Sequence, residues 1–256
     1  MKKCILCLGS GGIRGFTHIG VLKALQEHQI NVQAYFGTSV GSLVSAFAAS
    51  GLSALEIEKK ALSIKPFQLL DLTFPKNGFI KGEKLKTYIE ENVSQKNIED
   101  LKIPVRIIAT NSKTGTAVIF KSGLISERVQ ASCAIPNIFR PTQIDGVEYL
   151  DGDLKSPVPM LMARDEFKNE IIVGVNIIAR TDQAPRNHRK WSRWVAKDMY
   201  RRSLVDHEKS AADIYMDIDI GYFGHIMGDW PSRQIEIGYQ ETLKIIPKLK
   251  QLLVID

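Results

Sequence analysis

A Gly-x-Ser-x-Gly pentapeptide gives this chain its clearest chemical signal. From Gly37 to Gly41 the sequence reads Gly-Thr-Ser-Val-Gly, between the apolar run 34–36 and the small-residue run 42–49, which favours a helix. Between a strand and a helix, this spacing is typical of a nucleophile elbow, a tight turn that exposes its serine at the positive end of the helix. The pattern indicates Ser39 as a nucleophile, and a glycine-rich turn without chemistry is the alternative.

A glycine-rich loop precedes the first predicted helix. From Gly9 to Gly15 it reads Gly-Ser-Gly-Gly-Ile-Arg-Gly. The exposed N–H groups of such a loop at a helix N-terminus bind negative charge. The spacing fits neither a dinucleotide fingerprint nor a Walker loop, which needs a lysine after its last glycine. An oxyanion hole for acyl transfer and a close-packed turn both remain open.

The third candidate is Asp151, in the run Asp151-Gly152-Asp153 that follows a hairpin-like Asp145-Gly146. Asp-Gly alone usually marks only a turn. A nucleophilic serine needs a base, which is most often a histidine. The histidines of the chain are His18, His28, His188, His207 and His225. His225 would complete the order Ser39, Asp151, His225 of an α/β-hydrolase, although that fold places more strands before its elbow than the two predicted here.

Apolar strands alternate with helices along the chain, which favours a mostly parallel sheet covered on both faces. Strands are predicted at 4–8, 32–36, 105–110, 117–120, 171–178 and, weakly, 214–220. Helices are predicted at 16–28, 55–64, 82–93, 127–133 and 234–253. The polar stretch 180–190 is the best loop candidate, and residues 1–256 are expected to form a single domain.

The composition is that of a soluble protein, with 44% hydrophobic and 24% charged residues. The net charge of +6 favours anionic partners, and since no nucleic-acid-binding motif is present, no nucleic acid is expected. No apolar run approaches the roughly 20 residues of a membrane span, and the first apolar run is too short for a signal peptide. Cys4 and Cys7 lie in a strand-like run and are expected to be buried hydrophobes. A cytoplasmic protein is the expectation.

The segment 186–202 holds seven basic residues and one acidic residue, and places Trp191, Trp194, Val195 and Met199 at helical spacing. A basic amphipathic helix with tryptophan suits an anionic membrane surface. The alternative is that its apolar stripe docks on the domain.

Taken together, the three motifs resemble the patatin-like phospholipase family, in its small bacterial, neuropathy-target-esterase-like branch. That family combines a G-G-G-x-[RK]-G loop, a G-x-S-x-G elbow about two dozen residues later and a downstream D-G-[GA]. The segments 14–22, 134–136 and 156–159 also resemble this branch. The similarity covers about residues 4–178. The remaining residues, 179–256, would be a basic, helical C-terminal part of the same domain.

The resemblance implies a three-layer α/β/α sandwich with a Ser39–Asp151 catalytic dyad. Ser39 would attack an ester carbonyl, and Asp151 would act first as base and then as proton donor. Gly11 and Gly12 would supply the oxyanion N–H groups. The motif would be supported by Gly9, Arg14, Gly15, Gly37, Gly41 and Gly152. A phospholipid or other acyl-ester lipid is the implied substrate, with no metal and no cofactor.

Two residues depart from the family pattern. Ser10 stands where the loop has its first glycine, and Asp153 replaces the small residue after Asp151-Gly152. A second carboxylate near Asp151 would raise the pKa of the dyad if the side chains approach each other. The departures leave open a non-catalytic module of the same fold that binds an acyl or phosphate group.

Overall fold

The computed structural model describes residues 3–64, 69, 71, 79–177, 188–220 and 229–254, without the side chains of residues 188–194 and 197. The strands are β1 (Cys4–Leu8), β2 (Val32–Thr38), β3 (Val105–Asn111), β4 (Ala117–Phe120), β5 (Thr142–Ile144), β6 (Val147–Asp151), β7 (Ile171–Asn176) and β8 (Ile214–Asp217). The helices are α1 (Phe16–Glu27), α2 (Val40–Ala49), α3 (Ala54–Ser63), α4 (Glu83–Asn92), α5 (Ile125–Ser132), α6 (Met160–Glu166), α7 (His188–Glu208) and α8 (Trp230–Leu253).

The strands form one mixed, mostly parallel sheet in the order β5-β6-β3-β2-β1-β7-β8, with β4 paired to β3 outside this path. The five strands from β3 to β8 in this order are parallel to one another. β4, β5 and β6 pair in antiparallel fashion at the β3 end. Helices cover both faces, so the predicted fold class is confirmed.

The side chains of β1 point alternately into two cores on opposite faces of the sheet. Every residue of this strand is fully buried. Cys4, Leu6 and Leu8 point into the larger core, beneath α1–α5 and α8, whereas Ile5 and Cys7 point into the smaller core beneath α6 and α7. Cys4 and Cys7 are therefore buried on opposite faces of the sheet and do not form a pair. This confirms their interpretation as core residues.

Several elements differ from the sequence prediction. The bounds of β1 and β4 agree with it, but β5, β6 and α6 were not predicted. These three elements are short, and β6 is only half-buried along most of its length, so none carries a long apolar pattern. The predicted hairpin turn is present between β5 and β6, since Asp145 and Gly146 both have positive φ, as a type I′ turn requires.

Candidate active site

Two strands meet end to end along one edge of β3, and this arrangement brings the predicted serine and aspartate together. β2 runs parallel to β3 and pairs with it as far as Thr38, opposite Ile108. β6 runs antiparallel and takes over at the next position, with Asp151 opposite Ala109. Because β4 occupies the other edge of β3 here, the carboxyl ends of β2 and β6 must face each other. Ser39, which follows β2, is thereby placed beside Asp151.

The turn at Ser39 has the backbone of a nucleophile elbow. Ser39 adopts φ 55° and ψ −126°, a conformation that costs a non-glycine residue about 1–3 kcal/mol. The flanking glycines are needed for space. A Cβ at Gly37 would lie 2.5 Å from the Cα of Ser42, and one at Gly41 would lie 2.0 Å from the carbonyl oxygen of Leu8. A side chain at either position would force β2, α2 or β1 apart.

Ser39 and Asp151 are hydrogen-bonded in a buried setting. Ser39 Oγ donates to Asp151 Oδ2 over 2.7 Å, and Asp151 Oδ1 accepts the N–H of Asp153 over 2.8 Å. The N–H of Ser39 donates to Ser132 Oγ over 2.8 Å, and that hydroxyl donates to the carbonyl oxygen of Ile108. The two acceptor oxygens of Asp151 are thus oriented, one toward the serine hydroxyl and one toward the backbone.

Burial raises the pKa of Asp151 to about 7, from an ordinary value of 3.8. The nearby Asp153 carboxylate is the second cause that raises this pKa, whereas the hydrogen bonds from Asp153 N–H and Ser39 and the charge of Arg201 lower it, and about 7 is the net result of these effects. A base is most effective when its pKa lies near the working pH. Burial therefore makes this carboxylate a much better proton acceptor at neutral pH than a free aspartate.

The glycine-rich loop presents free backbone donors next to Ser39. The N–H groups of Gly9, Ser10 and Arg14 donate to backbone carbonyls. Those of Gly11, Gly12 and Ile13 have no acceptor in the part of the chain that the structure describes. Gly12 has φ 58°, in the left-handed region, and lines the same cavity as Ile13 and Ser39. The donors of Gly12 and Ile13 are therefore available to an oxygen atom bound in this cavity beside the serine.

The remaining motif residues serve close packing around this site. Arg14 and Gly15 are buried in the 3₁₀ turn that follows Gly11. A Cβ at Gly15 would lie 2.1 Å from Cγ2 of Val40, so this glycine lets the loop approach α2. A Cβ at Gly152 would lie 2.4 Å from a carbonyl oxygen of β3, so this glycine lets the turn after Asp151 approach the sheet.

The histidines that the structure describes do not contact the Ser39–Asp151 pair. His18 is fully buried, and its Nε2 lies 2.8 Å from the carbonyl oxygen of Gly9. Burial lowers the pKa of His18 to about 4, so it is a neutral residue that braces the glycine-rich loop. His28 ends α1, and His207 is exposed near the end of α7. His225 and the side chain of His188 lie outside the described residues.

The two departures from the family pattern contact each other. Ser10 Oγ donates a hydrogen bond to Asp153 Oδ1, and Arg201 of α7 bonds to both residues. The sequence did not predict this role for Arg201, which is one of the seven basic residues of the segment 186–202. Its side chain is 17% exposed. The neighbouring Arg202 pairs with Asp198 over 2.7 Å on the same helix.

Helix α7 agrees only in part with the predicted basic amphipathic segment. It begins at His188, inside the predicted loop 180–190, and continues beyond residue 202 to Glu208. Trp191 and Trp194 have side chains outside the described residues. Met199, from the predicted apolar stripe, is 65% exposed. Among the described residues, no helix has the length and apolar character needed to cross a bilayer.

An apolar cavity of about 350 Å³ opens at Ser39. One wall is a single face of α2, formed by Val40, Leu43, Val44 and Phe47. This face extends for about 10 Å along the helix axis, at 1.5 Å per residue. The opposite walls come from α1, α3 and α4 and from the segment after α5. A slender, flexible and apolar group suits this space.

Comparison with known proteins finds a matching family model and several relatives. The family model described as patatin-like phospholipase matches residues 6–164, more than half of the chain. An uncharacterized NTE family protein of Mycobacterium tuberculosis is 35% identical over 157 residues, which cover 60% of this chain and 44% of that protein. Lysophospholipase NTE1 of Debaryomyces hansenii is 29% identical over 189 residues, 72% of this chain and 12% of that protein. The chain therefore spans less than half the length of these relatives.

A solved structure shares the fold. The crystal structure of VipD from Legionella pneumophila superposes with a TM-score of 0.65 at 14% sequence identity. The superposition covers 96% of this chain and 67% of VipD. The described C-terminal elements, which lie beyond the family match, are therefore part of an architecture that VipD also has.

Proposed function

The chain belongs to the patatin-like phospholipase family, and we propose that it is a serine acyl hydrolase that cleaves carboxylic esters of lipids. In this proposal Ser39 is the nucleophile, Asp151 is the base, and the N–H groups of the glycine-rich loop stabilise the oxyanion. The observation that carries the proposal is the 2.7 Å hydrogen bond from Ser39 Oγ to Asp151 Oδ2, with Ser39 lining an apolar cavity.

The proposed reaction has two halves. Asp151 accepts the Ser39 proton while Oγ forms a bond to the ester carbon, and free N–H groups such as that of Gly12 bind the oxyanion. The intermediate collapses with cleavage of the ester C–O bond, and Asp151 returns the proton to the leaving alcohol. A water molecule then gives a proton to Asp151 and attacks the acyl-serine, which releases the fatty acid and restores the Ser39 hydroxyl.

The cavity supports a substrate with one acyl chain in the site. Its volume of about 350 Å³ is at the small end of ligand pockets. A single chain lying along the α2 face would place its ester carbonyl at Ser39 and its far end near Phe47. The relative named Lysophospholipase NTE1 supports the same choice. We therefore propose single-chain glycerophospholipids as the preferred substrate class.

This function is tested by incubating the protein with 1-acyl lysophosphatidylcholine and measuring fatty acid release by mass spectrometry. We expect release, together with stoichiometric labelling by a fluorophosphonate probe and a labelled peptide that contains Ser39. Release without labelling of Ser39 would contradict the assigned nucleophile. If the protein shows no fatty acid release, no hydrolysis of p-nitrophenyl butyrate and no labelling, the non-catalytic binding module is favoured instead. A His225→Ala variant distinguishes the two mechanisms. The aspartate-based mechanism predicts an unchanged rate of hydrolysis, whereas the histidine-based alternative predicts a large loss.

We also propose that the basic segment 186–202 brings the enzyme to an anionic membrane surface. Support comes from its excess of basic residues and from the exposure of Met199 and Tyr200, which are 65% and 46% exposed. Reversing the charge of Arg189, Lys190 and Arg193 to glutamate is expected to weaken binding to phosphatidylserine-containing vesicles at least about tenfold, because each basic residue at such a surface contributes about 1 kcal/mol.

Vesicle flotation measures this binding. The matched control reverses three exposed lysines outside this segment: Lys113, Lys168 and Lys244. That variant has the same net charge as the first one but is expected to float nearly as the wild type does. Equal losses in the two variants would mean that net charge, rather than this segment, drives binding. Unchanged flotation of the first variant would refute the proposal.

A further inference from the structure

The cluster of Ser10, Asp153 and Arg201 joins helix α7 to the turn that carries the proposed base. Arg201 Nε donates to Asp153 Oδ1 over 2.7 Å, and its Nη2 donates to Ser10 Oγ over 2.9 Å. Arg201 lies beyond residues 6–164, which the family model matches. The two departures from the family motifs are thus held by one arginine from outside the matched region. This contact gives both departures one structural reason, because Ser10 and Asp153 are both hydrogen-bond partners of Arg201.

Helix α7 makes two further hydrogen bonds to the segment that follows Asp151. Tyr200 Oη donates to the carbonyl oxygen of Leu154 over 3.1 Å. Ser156 Oγ donates to the buried Glu208 carboxyl over 2.5 Å. Together with the Arg201 contact, α7 binds residues 153, 154 and 156, directly after Asp151. The position of the base therefore depends on a helix that the motif-bearing part of the chain does not contain.

The charges around Asp151 explain what Arg201 contributes. The titratable and charged groups that face Asp151 are Asp153 on the same turn, Arg201 on α7, the Ser39 hydroxyl at the elbow and the Cys133 thiol after α5. Asp151 and Asp153 are 2% and 7% exposed. Two buried carboxylates this close cannot both stay ionised without a compensating cation. Among the groups that face Asp151 in the described structure, Arg201 is the cation.

We propose that Arg201 is a positioning residue of the hydrolase, which acts through Asp153 and Ser10 to keep Asp151 ionised and aimed at Ser39 at neutral pH. This inference rests on the proposed function of Ser39 and Asp151. The Asp153 N–H donates to Asp151, so an unpaired Asp153 would disturb both the charge and the orientation of the base. Arg201 prevents this by neutralising Asp153 and fixing its side chain.

The test is the pH dependence of kcat/KM in a double-mutant cycle that removes the charges of Arg201 and Asp153 singly and together. In each profile the acidic limb is the pH range in which kcat/KM rises as Asp151 loses its proton. Arg201→Met is expected to move the acidic limb at least about one pH unit upward from the wild-type pKa of about 7, so that kcat/KM at pH 7 falls at least about fivefold and recovers near pH 9. Asp153→Asn is expected to move the limb downward. The double variant, which lacks both charges, is expected to return toward the wild-type profile, and Arg201→Lys should stay near it.

Arg202→Met is the matched control, because it removes an arginine–carboxylate pair from the next position of the same helix. It is expected to leave the acidic limb unmoved. A merely structural Arg201 would give a different pattern: a lower melting temperature and an equal loss of kcat/KM at every pH, with no recovery in the double variant. That pattern, or a limb in Arg201→Met that coincides with the control, overturns the proposal.

A second readout separates this inference from the proposed function. The ¹³C resonance of the Asp151 carboxyl carbon, assigned by its loss in Asp151→Asn, titrates without any need for activity. A wild-type protein without esterase activity would refute the proposed function, and the titration would still decide whether Arg201 controls the ionisation of Asp151. An active wild type whose Asp151 titrates identically in Arg201→Met would refute only the role of Arg201.

Discussion

Replacing Ser39 by alanine is expected to lower kcat/KM for ester hydrolysis at least about 10⁴-fold, because the atom that bonds to the acyl group is removed. Alanine is preferred to glycine at this position. Both serine and alanine carry a Cβ and bear the same backbone cost at φ 55°, whereas glycine would relieve it and change the fold energy as well. Initial rates with p-nitrophenyl butyrate and with lysophosphatidylcholine measure the loss.

Ser45→Ala is the control for this experiment. Ser45 lies on the same helix, α2, and is fully buried, and its hydroxyl has no hydrogen-bond partner among the described residues. Removing that hydroxyl is expected to leave the rate unchanged and the melting temperature equal or slightly higher. A Ser39→Ala protein that melts like the control and retains more than a few per cent of wild-type activity would exclude Ser39 as the nucleophile.

The sequence predicts the central sheet well because its strands are buried on both faces. β1 is an unbroken apolar run with full burial, and such runs are visible without any knowledge of the partner strands. β5 and β6 are different. They have three and five residues and form a hairpin at the end of the sheet, where β6 pairs with β3 and β5 pairs with β6. Tertiary pairing of that kind leaves little trace in the local pattern.

The site was predictable where backbone geometry demands particular residues. Gly37 and Gly41 are required by contacts of 2.5 and 2.0 Å that any side chain would make, so the elbow appears in the sequence as a motif. Asp151 could be identified only through its resemblance to a family, because its partner lies 112 positions away. The end-to-end meeting of β2 and β6 on β3 supplies the physical reason for that pairing.

Ser132 and Arg201 could not have been identified from the sequence. Ser132 is an ordinary polar residue of a helix until the fold places its hydroxyl under the N–H of Ser39. Arg201 has the type and spacing of a membrane-facing residue, and its bond to Ser10 spans 191 positions. The sequence predicts that Asp153 raises the pKa of Asp151 if the two side chains approach each other, and the structure bears this out, but the larger cause, burial, could not be predicted from the sequence.

Replacing Asp151 by asparagine is expected to lower kcat/KM about 10²–10⁴-fold, which is the usual contribution of a positioned general base. The amide preserves the local hydrogen bonds. Its oxygen can accept the Asp153 N–H, and its NH₂ group can donate to Ser39 Oγ, so the serine is held in place without a group that takes its proton. Retention of wild-type rates in this variant would exclude Asp151 as the base.

The same substitution is expected to stabilise the protein, increasingly so as the pH rises. Because the pKa of Asp151 is about 7 in the folded state and near 3.8 in the unfolded chain, the folded state binds more protons between these values. Wild-type stability therefore falls as the pH rises through this window. A pKa difference of one is worth about 1.4 kcal/mol, so the free energy of unfolding of Asp151→Asn should gain about 2 kcal/mol on the wild type between pH 5 and 8.

Urea denaturation at pH 5, 6, 7 and 8 measures this gain, with Asp165→Asn as the control at a carboxylate that is 80% exposed. The control is expected to follow the wild type across the series. A constant offset between Asp151→Asn and the wild type would mean that Asp151 ionises in the folded protein as it does in the unfolded chain. A widening offset together with lost activity would mean that the fold holds this carboxylate at a cost in stability that only the reaction explains.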